Sequence, residues 1–337
     1  MDEFRILSAT AILGYGFPIS SFEAGLARKP HLIAVDAGST DPGPYYLGAG
    51  VSFTDRDAVK RDLELMLKAG IPAGIPIVIG TAGGSGGDAH LAWNQAIIEE
   101  IAKEQGLHFN MAVIHAEIPK DDVLKKLKDG HVHPLPPAKQ LEAEDLEQTV
   151  SVVAQMGIEP IIKALDAGAQ VVLAGRCYDP AVFAAPAVRA GFDKGLAVHL
   201  GKILECASIA ATPGSGSDCM FGYLRSDHFD VEPLNDIRQC TPVSVAAHTL
   251  YEKTDPYILP GPGGHLDLRQ CRFEPVTDRI TRVSGSKYVN AAQYTVKLEG
   301  AKRIGFRTVS IAGARDPILL EQIDEIIEGV TERVKDN

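Results

Sequence analysis

The sequence of 337 residues has little positive charge and no segment suited to a membrane. It contains 33 Lys and Arg against 44 Asp and Glu, a formal net charge of −11, and no run of basic residues. Because a nucleic acid is held by a basic surface, we expect no nucleic-acid partner. No apolar stretch approaches the ~20 residues of a membrane span. The acidic N-terminus continues directly into a strand-like run without a signal peptide, so we expect a cytoplasmic protein that binds no membrane.

Cysteine motifs are also missing. The chain has five cysteines, an odd number at wide spacing, and no pair in the CxxC pattern. This predicts reduced thiols and neither a disulfide framework nor a zinc knuckle. His and Asp residues are scattered without the short spacing typical of a metal site, so no metal is predicted and the cofactor is unknown.

A glycine-rich segment is the most informative feature that is present. The apolar run Ile77–Gly80 leads into residues 81–87, TAGGSGG, and a helical pattern starts at Asp88. A strand, a glycine turn and a helix N-terminus together can hold an anionic group of a ligand. The segment fits neither GxGxxG nor a P-loop, so it indicates an anion and no particular nucleotide. Close packing of the helix against the strand would explain the same glycines, and both interpretations stay open.

Strand-like and helix-like segments alternate in the first part of the chain. Four successive strand-then-helix units predict an α/β protein with a doubly wound, mostly parallel sheet. Residues 141–167 are predicted to be a long helical stretch, interrupted at Gly157 and Pro160. From residue 212 the pattern favours an α+β region with antiparallel strands and a C-terminal amphipathic helix. We therefore predict two domains, 1–211, with the glycine-rich anion loop, and 212–337.

Several motifs resemble one known family, the acyclic terpene utilization AtuA family. They are IAVDAGSTDPGPYYLGAG (33–50), VIGTAGGSGGDAHL (78–91), AGRCYDPAVFAAP (174–186), GKILEC (201–206), CTPVSVAAHTLYE (240–252), YTVKLEGA (294–301) and GFRTVSIAGARDP (305–317). The resemblance implies a link to the breakdown of acyclic terpenes and other branched or unusual carboxylic acids. It supplies no mechanism.

The resemblance also implies an assembly. Many members continue well beyond the last of these blocks, and short members often accompany a small separate protein. We therefore expect an oligomer that can include a small partner subunit. The apolar face of the last helix is the candidate contact.

Asp36 is the first candidate for chemistry, because it directly follows a buried strand. Its carboxylate could be a general base or could accept a ligand hydroxyl at the carboxyl edge of the sheet. With Ser39 and Asp41, three oxygen-bearing side chains occur within six residues, so we also predict Ser39 and Asp41 as substrate-binding residues. The alternative is that these side chains only cap the turn.

Arg176 and Asp179 follow a later strand in the same way. An arginine offers a planar fork for a carboxylate or a phosphate, so we predict that Arg176 binds substrate and that Asp179 is catalytic. The alternative is that Arg176 forms an ion pair with Asp179 or Asp36, and that this pair only shapes the edge of the sheet. Cys177 is not favoured as a nucleophile.

Lys202 and Glu205 are three residues apart on a mostly apolar helix, where charges are costly unless they are paired or used. We predict both as catalytic residues that move protons beside a pocket. A mutual salt bridge is the alternative.

The predicted site combines these residues with the glycine turn, in which Thr81, Gly83, Gly84, Ser85 and Gly86 bind substrate. This set predicts a lyase, most specifically a hydratase or dehydratase, or an isomerase, acting on a small carboxylate or an acyl-thioester. Two alternatives are a hydrolase with Ser39 or Ser85 as nucleophile and a non-catalytic acyl-binding or scaffolding subunit. Neither serine lies in a GxSxG elbow.

Overall fold

The computed structural model describes residues 1–335, which form two compact units, residues 1–303 and the residues from 304 on. The strands are β1 Phe4–Ser8, β2 Leu32–Asp36, β3 Ile77–Gly80, β4 Met111–Ile114, β5 Thr149–Ala154, β6 Val171–Ala174, β7 Met220–Leu224, β8 His228–Pro233, β9 Ile258–Gly261, β10 Gly264–Asp267, β11 Arg272–Pro275, β12 Thr281–Ser284, β13 Lys287–Asn290 and β14 Leu298–Lys302. The α-helices are α1 Ile19–Ala27, α2 Pro44–Ala49, α3 Arg56–Ala73, α4 Asp88–Gln105, α5 Lys120–Lys128, α6 Ala143–Gln148, α7 Glu159–Asp166, α8 Ala181–Arg189, α9 Lys194–Leu204, α10 Pro242–Thr249, α11 Pro317–Glu321 and α12 Ile323–Val334.

A nine-stranded sheet organises the first unit. Its strand order is β11-β12-β8-β7-β1-β2-β3-β6-β4. The strands from β1 to β4 in this order pair in parallel, and β7, β8, β12 and β11 extend the sheet with antiparallel pairs. The predicted fold class, α/β with a mostly parallel sheet and antiparallel strands in the C-terminal region, is confirmed.

Helices cover both faces of this sheet, as a doubly wound fold requires. In the fully buried strand β2, Ile33 and Val35 belong to one core, and Leu32 and Ala34 belong to the other. The first core is completed by apolar residues of α1, α3 and α4, and the second by residues of α7, α8 and α9. Because alternate residues of a strand point to opposite faces, a strand buried on both faces reads as a continuous apolar run.

Local capping explains where two helices begin. The Asp55 carboxylate accepts hydrogen bonds from the amides of Asp57 and Ala58, which fixes the start of α3. The Asp193 carboxylate accepts from the Leu196 amide at the start of α9. Side-chain caps of this kind satisfy amides that have no partner inside the helix. The Asp193 cap fixes the start of α9, the helix that carries Lys202.

The long helical stretch predicted over residues 141–167 is wrong in its middle. The structure has α6, then β5, then α7, and β5 pairs antiparallel with β14. The β5 sequence, TVSVVA, is rich in β-branched residues, which favour a strand. Its partner lies about 150 residues further along the chain, so no local pattern reveals the pairing.

The antiparallel strands predicted beyond residue 212 are present, and two of them, β7 and β8, continue the central sheet. The domain division at residue 212 stays a prediction. The segment predicted as one final helix forms two, α11 and α12. No helix within residues 1–335 is long and apolar enough to cross a membrane.

Candidate functional site

Three turns lie side by side at the carboxyl edge of the parallel strands. Asp36, the last residue of β2, pairs in register with Gly80, the last residue of β3. The Ala82 amide donates to the carbonyl of Ala174, the last residue of β6, at 2.9 Å. The structure therefore brings the loop after β2, the glycine turn after β3 and the turn over residues 175–179 together.

Asp36 is buried at this edge. Its Oδ1 accepts a hydrogen bond from the Gly38 amide at 3.0 Å, so it does cap the following turn. Burial raises the pKa of Asp36 well above its ordinary value, and the nearby carboxylates of Asp179 and Glu205 raise it further. Burial therefore favours the protonated form of this carboxyl, which a capping role does not require.

Ser39 and Asp41 lie outside this buried region. Ser39 Oγ accepts a hydrogen bond from the Asp41 amide at 3.1 Å, and the Asp41 side chain is exposed. The two residues shape the loop after β2. Their predicted role in binding substrate stays a prediction.

The glycine turn is packed tightly against its neighbours. A Cβ atom on Gly86 would lie 2.1 Å from the Arg176 amide nitrogen, and one on Gly38 would lie 2.3 Å from the Gly84 carbonyl oxygen. A Cβ on Gly83 would meet the His90 carbonyl oxygen at 2.5 Å. Close packing thus accounts for these glycines, whether or not a ligand also approaches them.

One anion already occupies the helix start behind this turn. The carboxylate of Glu117 accepts a hydrogen bond from the Asp88 amide, the first of α4, at 2.8 Å. Within residues 1–335 the amides of Gly84, Ser85 and Gly87 have no acceptor. The chain therefore fills part of the anion-binding position itself and leaves these three donors.

Thr81 connects the glycine turn to the turn after β6. Its buried hydroxyl oxygen accepts hydrogen bonds from the Cys177 amide and from Arg176 Nη1, both at 3.2 Å. These bonds hold the two turns at a fixed spacing.

Arg176 is only 1% exposed, and its guanidinium is bound by the chain's own carboxylates. Nη1 donates to Asp179 Oδ1 at 2.9 Å, and Nε donates to Glu299 Oε2 at 2.5 Å. Burial alone would raise the pKa of Glu299, but the guanidinium lowers it to about 2. The ion pair between Arg176 and Asp179, which was the alternative to substrate binding, is thus present. Sequence reasoning missed Glu299, and the only signal was its position in the family block 294–301.

Lys202 and Glu205 form the predicted pair, and both are buried. Lys202 Nζ lies 2.5 Å from Glu205 Oε1 and 3.5 Å from Glu252 Oε2. Burial raises the pKa of Glu205 to about 8 against the opposing effect of the Lys202 ammonium, and Asp179 adds to the increase.

Helix α9 carries Glu205 towards the turn after β6. A Cβ on Gly201 would lie 2.5 Å from the Pro180 carbonyl oxygen, so the helix packs directly against that turn. Glu205 follows Gly201 by four residues and continues the same face. The Asp179 and Glu205 carboxylates raise the pKa of Asp36, and Asp179 raises that of Glu205, so we call these three residues the acid cluster.

The acid cluster can support proton transfer. Two of its members, Asp36 and Glu205, have raised pKa values, and each is influenced by Asp179. When carboxyls share a low-dielectric region, one tends to keep its proton while another ionises, which supplies an acid and a base together. Within residues 1–335, no group of three or more His, Cys, Asp and Glu is placed to hold a metal ion.

Two cavities lie away from the acid cluster. One of about 540 Å³ is lined by residues at the starts of β4 and β6, among them Asn110, Met111 and Gln170, at the opposite edge of the sheet. Another, of about 280 Å³, is lined by residues that include Asp267, Arg269 and Lys287, none of which was predicted for the site.

Comparison with known proteins finds one family. Residues 57–218 match the model of the family described as acyclic terpene utilisation family protein AtuA. Three of the family blocks, 78–91, 174–186 and 201–206, fall inside this range. The family description is compatible with a catabolic role and names no reaction. No curated protein and no solved structure matches the chain.

Proposed function

The chain carries an AtuA family domain over residues 57–218, and on this premise we propose that it is an enzyme of small organic acid or acyl-thioester catabolism. We propose further that it is a hydratase or dehydratase. The observation that supports this is the acid cluster, in which burial raises the pKa values of Asp36 and Glu205 and the Glu205 carboxylate adds to the increase at Asp36. Such a pair can remove one proton and deliver another in the same reaction.

In the proposed dehydration, Asp36 in its ionised form removes a proton from the carbon next to the substrate carbonyl. Glu205 in its neutral form donates its proton to the departing hydroxyl, which leaves as water. The electron pair of the broken C–H bond forms the carbon–carbon double bond. The proton gained by Asp36 and the proton lost by Glu205 balance, and hydration is the reverse.

The surrounding groups have supporting roles in this proposal. Lys202 stabilises Glu205 once it has lost its proton, because the ammonium lies 2.5 Å from Oε1. Arg176 holds Asp179 beside the other two carboxyls. The free amides of Gly84 and Ser85 are donors for the enolate oxygen that forms when the proton is removed. For Arg176 to bind a substrate carboxylate as well, the substrate would have to replace Glu299.

The alternatives have weaker support. Within the described chain the buried Ser85 Oγ has no hydrogen-bond partner, and Ser39 Oγ is bonded to a backbone amide. A nucleophilic serine needs a base within hydrogen-bond distance, so a hydrolase is not favoured. A non-catalytic acyl-binding subunit would have no need of buried carboxyls with raised pKa values.

A screen for proton exchange tests the proposal. The protein is incubated in deuterated water with a panel of 2-hydroxy, 3-hydroxy and α,β-unsaturated acids and their thioesters, followed by mass spectrometry and proton NMR. We expect at least one member to lose or gain water and to incorporate deuterium next to the carbonyl. Deuterium incorporation with a rearranged product of unchanged composition would instead indicate an isomerase. No exchange and no mass change with any member would remove the lyase proposal.

A further inference from the structure

Two buried polar atoms beside the acid cluster have no hydrogen-bond partner within residues 1–335. They are the phenol oxygen of Tyr178 and Oε2 of Glu205. An unpaired buried polar atom costs the free energy of the water it has lost, and folded proteins keep few of them. Both side chains belong to the region where α9 packs against the turn after β6, and each atom can still bond to one further polar group.

Tyr178 is held rigidly in the turn that also carries Asp179. Its amide donates to the Met156 carbonyl at 2.8 Å, and its carbonyl accepts from the Ala181 amide at 2.7 Å. A Cβ on Gly261 would lie 3.0 Å from the Tyr178 ring, so the ring packs closely against β9. The phenol is therefore positioned by the fold and not by a bond to its own hydroxyl.

Glu205 reaches the same region from α9. The close approach of Gly201 to Pro180, two residues after Tyr178, places the Glu205 face of the helix against this turn. Lys202 occupies Oε1 of Glu205, which leaves Oε2 free. The pKa of Tyr178 agrees with a position near Glu205. Burial is the main cause of its increase, and the Glu205 carboxylate is the second. The phenol therefore keeps its proton and acts as a donor.

A group that bonds to both atoms must accept from a phenol and also suit a carboxyl oxygen. A substrate carboxylate is unsuitable there, because Glu205 and Asp179 would repel it. A hydroxyl is suitable, because its oxygen accepts from Tyr178. It can also donate to Glu205 when that residue is ionised, or accept from it when it is protonated.

We propose that Tyr178 and Glu205 Oε2 form a subsite for a substrate hydroxyl group, so that the substrate is a hydroxy acid or its thioester. This inference rests on the proposed function and specifies which oxygen leaves. Tyr178 then touches the substrate and orients the hydroxyl that Glu205 protonates.

Binding measurements with matched acids test the subsite. The probes are 2-hydroxybutyrate, 3-hydroxybutyrate and butyrate, which lacks the hydroxyl, and affinity is followed by calorimetry or ligand-observed NMR. We expect the wild-type protein to bind at least one hydroxylated probe ~10-fold more tightly than butyrate, since one buried hydrogen-bonding group contributes about that much. Tyr178→Phe and Glu205→Gln should each reduce this preference. Tyr223→Phe is the matched control, because its hydroxyl is bonded to Glu232 on β8, away from the cluster.

Stability gives an independent readout. Tyr178→Phe removes a hydroxyl with no partner, so its melting temperature should equal or exceed that of the wild type, whereas Tyr223→Phe should melt lower. The proposed subsite would be overturned if the wild type bound hydroxylated and plain acids equally. It would also be overturned if the wild type bound neither. A Tyr178→Phe variant that keeps the preference or that melts well below wild type would overturn it as well, because the protein itself would then bind the hydroxyl.

The hydroxyl subsite and the proposed lyase activity can fail separately. A hydroxyl preference that depends on Tyr178, found without any deuterium exchange, would keep the subsite and remove the lyase. Deuterium exchange that is unchanged in Tyr178→Phe would keep the lyase and remove the subsite.

Discussion

At the scale of single residues, burial determines the chemistry of Glu205. Burial raises the pKa of its carboxyl to about 8, from an ordinary value of 4.5, against the opposing effect of the Lys202 ammonium. A carboxyl whose pKa is raised on folding stabilises the folded state below its ordinary pKa. That contribution is lost as the pH rises through the folded-state value.

We therefore predict a pH-dependent difference between the wild type and Glu205→Gln, which imitates the neutral carboxyl. Between about pH 4.5 and pH 8, the wild type should lose stability relative to the variant, and above pH 8 the difference should level off. Urea unfolding at a series of pH values measures this. Parallel free energies of unfolding for the two proteins across this range would contradict the expected burial of Glu205.

Sequence position predicts part of the candidate site. Asp36 and Asp179 were predicted because each follows a buried strand, and the carboxyl ends of parallel strands meet at one edge. Lys202 and Glu205 were predicted because charges on an apolar helix are costly unless they are paired or functional, and their catalytic roles stay predictions. Tyr178 was not predicted, because an aromatic residue in such a turn looks like ordinary core until its hydroxyl is seen to lack a hydrogen-bond partner within residues 1–335.

At the scale of secondary-structure elements, the two-stranded sheet of β5 and β14 is connected to the turn after β6 by an ion pair. Glu299 on β14 binds the guanidinium of Arg176, and Arg176 in turn holds Asp179. Neither the pairing of β5 with β14 nor the role of Glu299 could be predicted locally, because both depend on contact between strands that are far apart in sequence. The parallel strands could be predicted, because each one carries its own signal as an apolar run before a turn.

Glu299→Gln tests this connection between β14 and the site. Removing one carboxylate from a buried arginine should lower the free energy of unfolding by about 3 kcal/mol, the low end for a broken buried pair, because Asp179 stays bound. Lys297→Met is the control, since Lys297 is a partly exposed partner of Glu299 and should cost no more than about 1 kcal/mol. Chemical denaturation measures both, and equal small losses would show that Glu299 does not hold Arg176.

At the scale of the whole molecule, the unit from residue 304 on presents much apolar surface. Ile327 and Val330 of α12 are each 57% exposed, and Ile318 and Leu320 of α11 are also exposed. Ile327 and Val330 are three residues apart and so lie on one face of α12, and large exposed apolar surfaces usually mark a contact with another chain. This surface suits the predicted oligomer or partner subunit, which stays a prediction.

A double substitution of Ile327 and Val330 by Asp tests that prediction. We expect the wild type to sediment as an oligomer and the variant to sediment as a smaller species, with the melting of the first unit unchanged. Glu328→Gln, an exposed change on the same helix, should leave the mass as in the wild type. A wild-type protein that sediments as a monomer when purified alone would contradict self-association and leave only a separate partner for this surface.

The most direct test of the central claim is deuterium exchange by wild type and Asp36→Asn, with a substrate found in the panel. The substitution keeps the shape of the side chain and removes its ability to take a proton, so exchange next to the carbonyl should slow by ~100-fold or more. Asp129→Asn, an exposed change at the end of α5, should exchange at the wild-type rate. Exchange by Asp36→Asn at the wild-type rate would contradict the assignment of proton abstraction to the acid cluster.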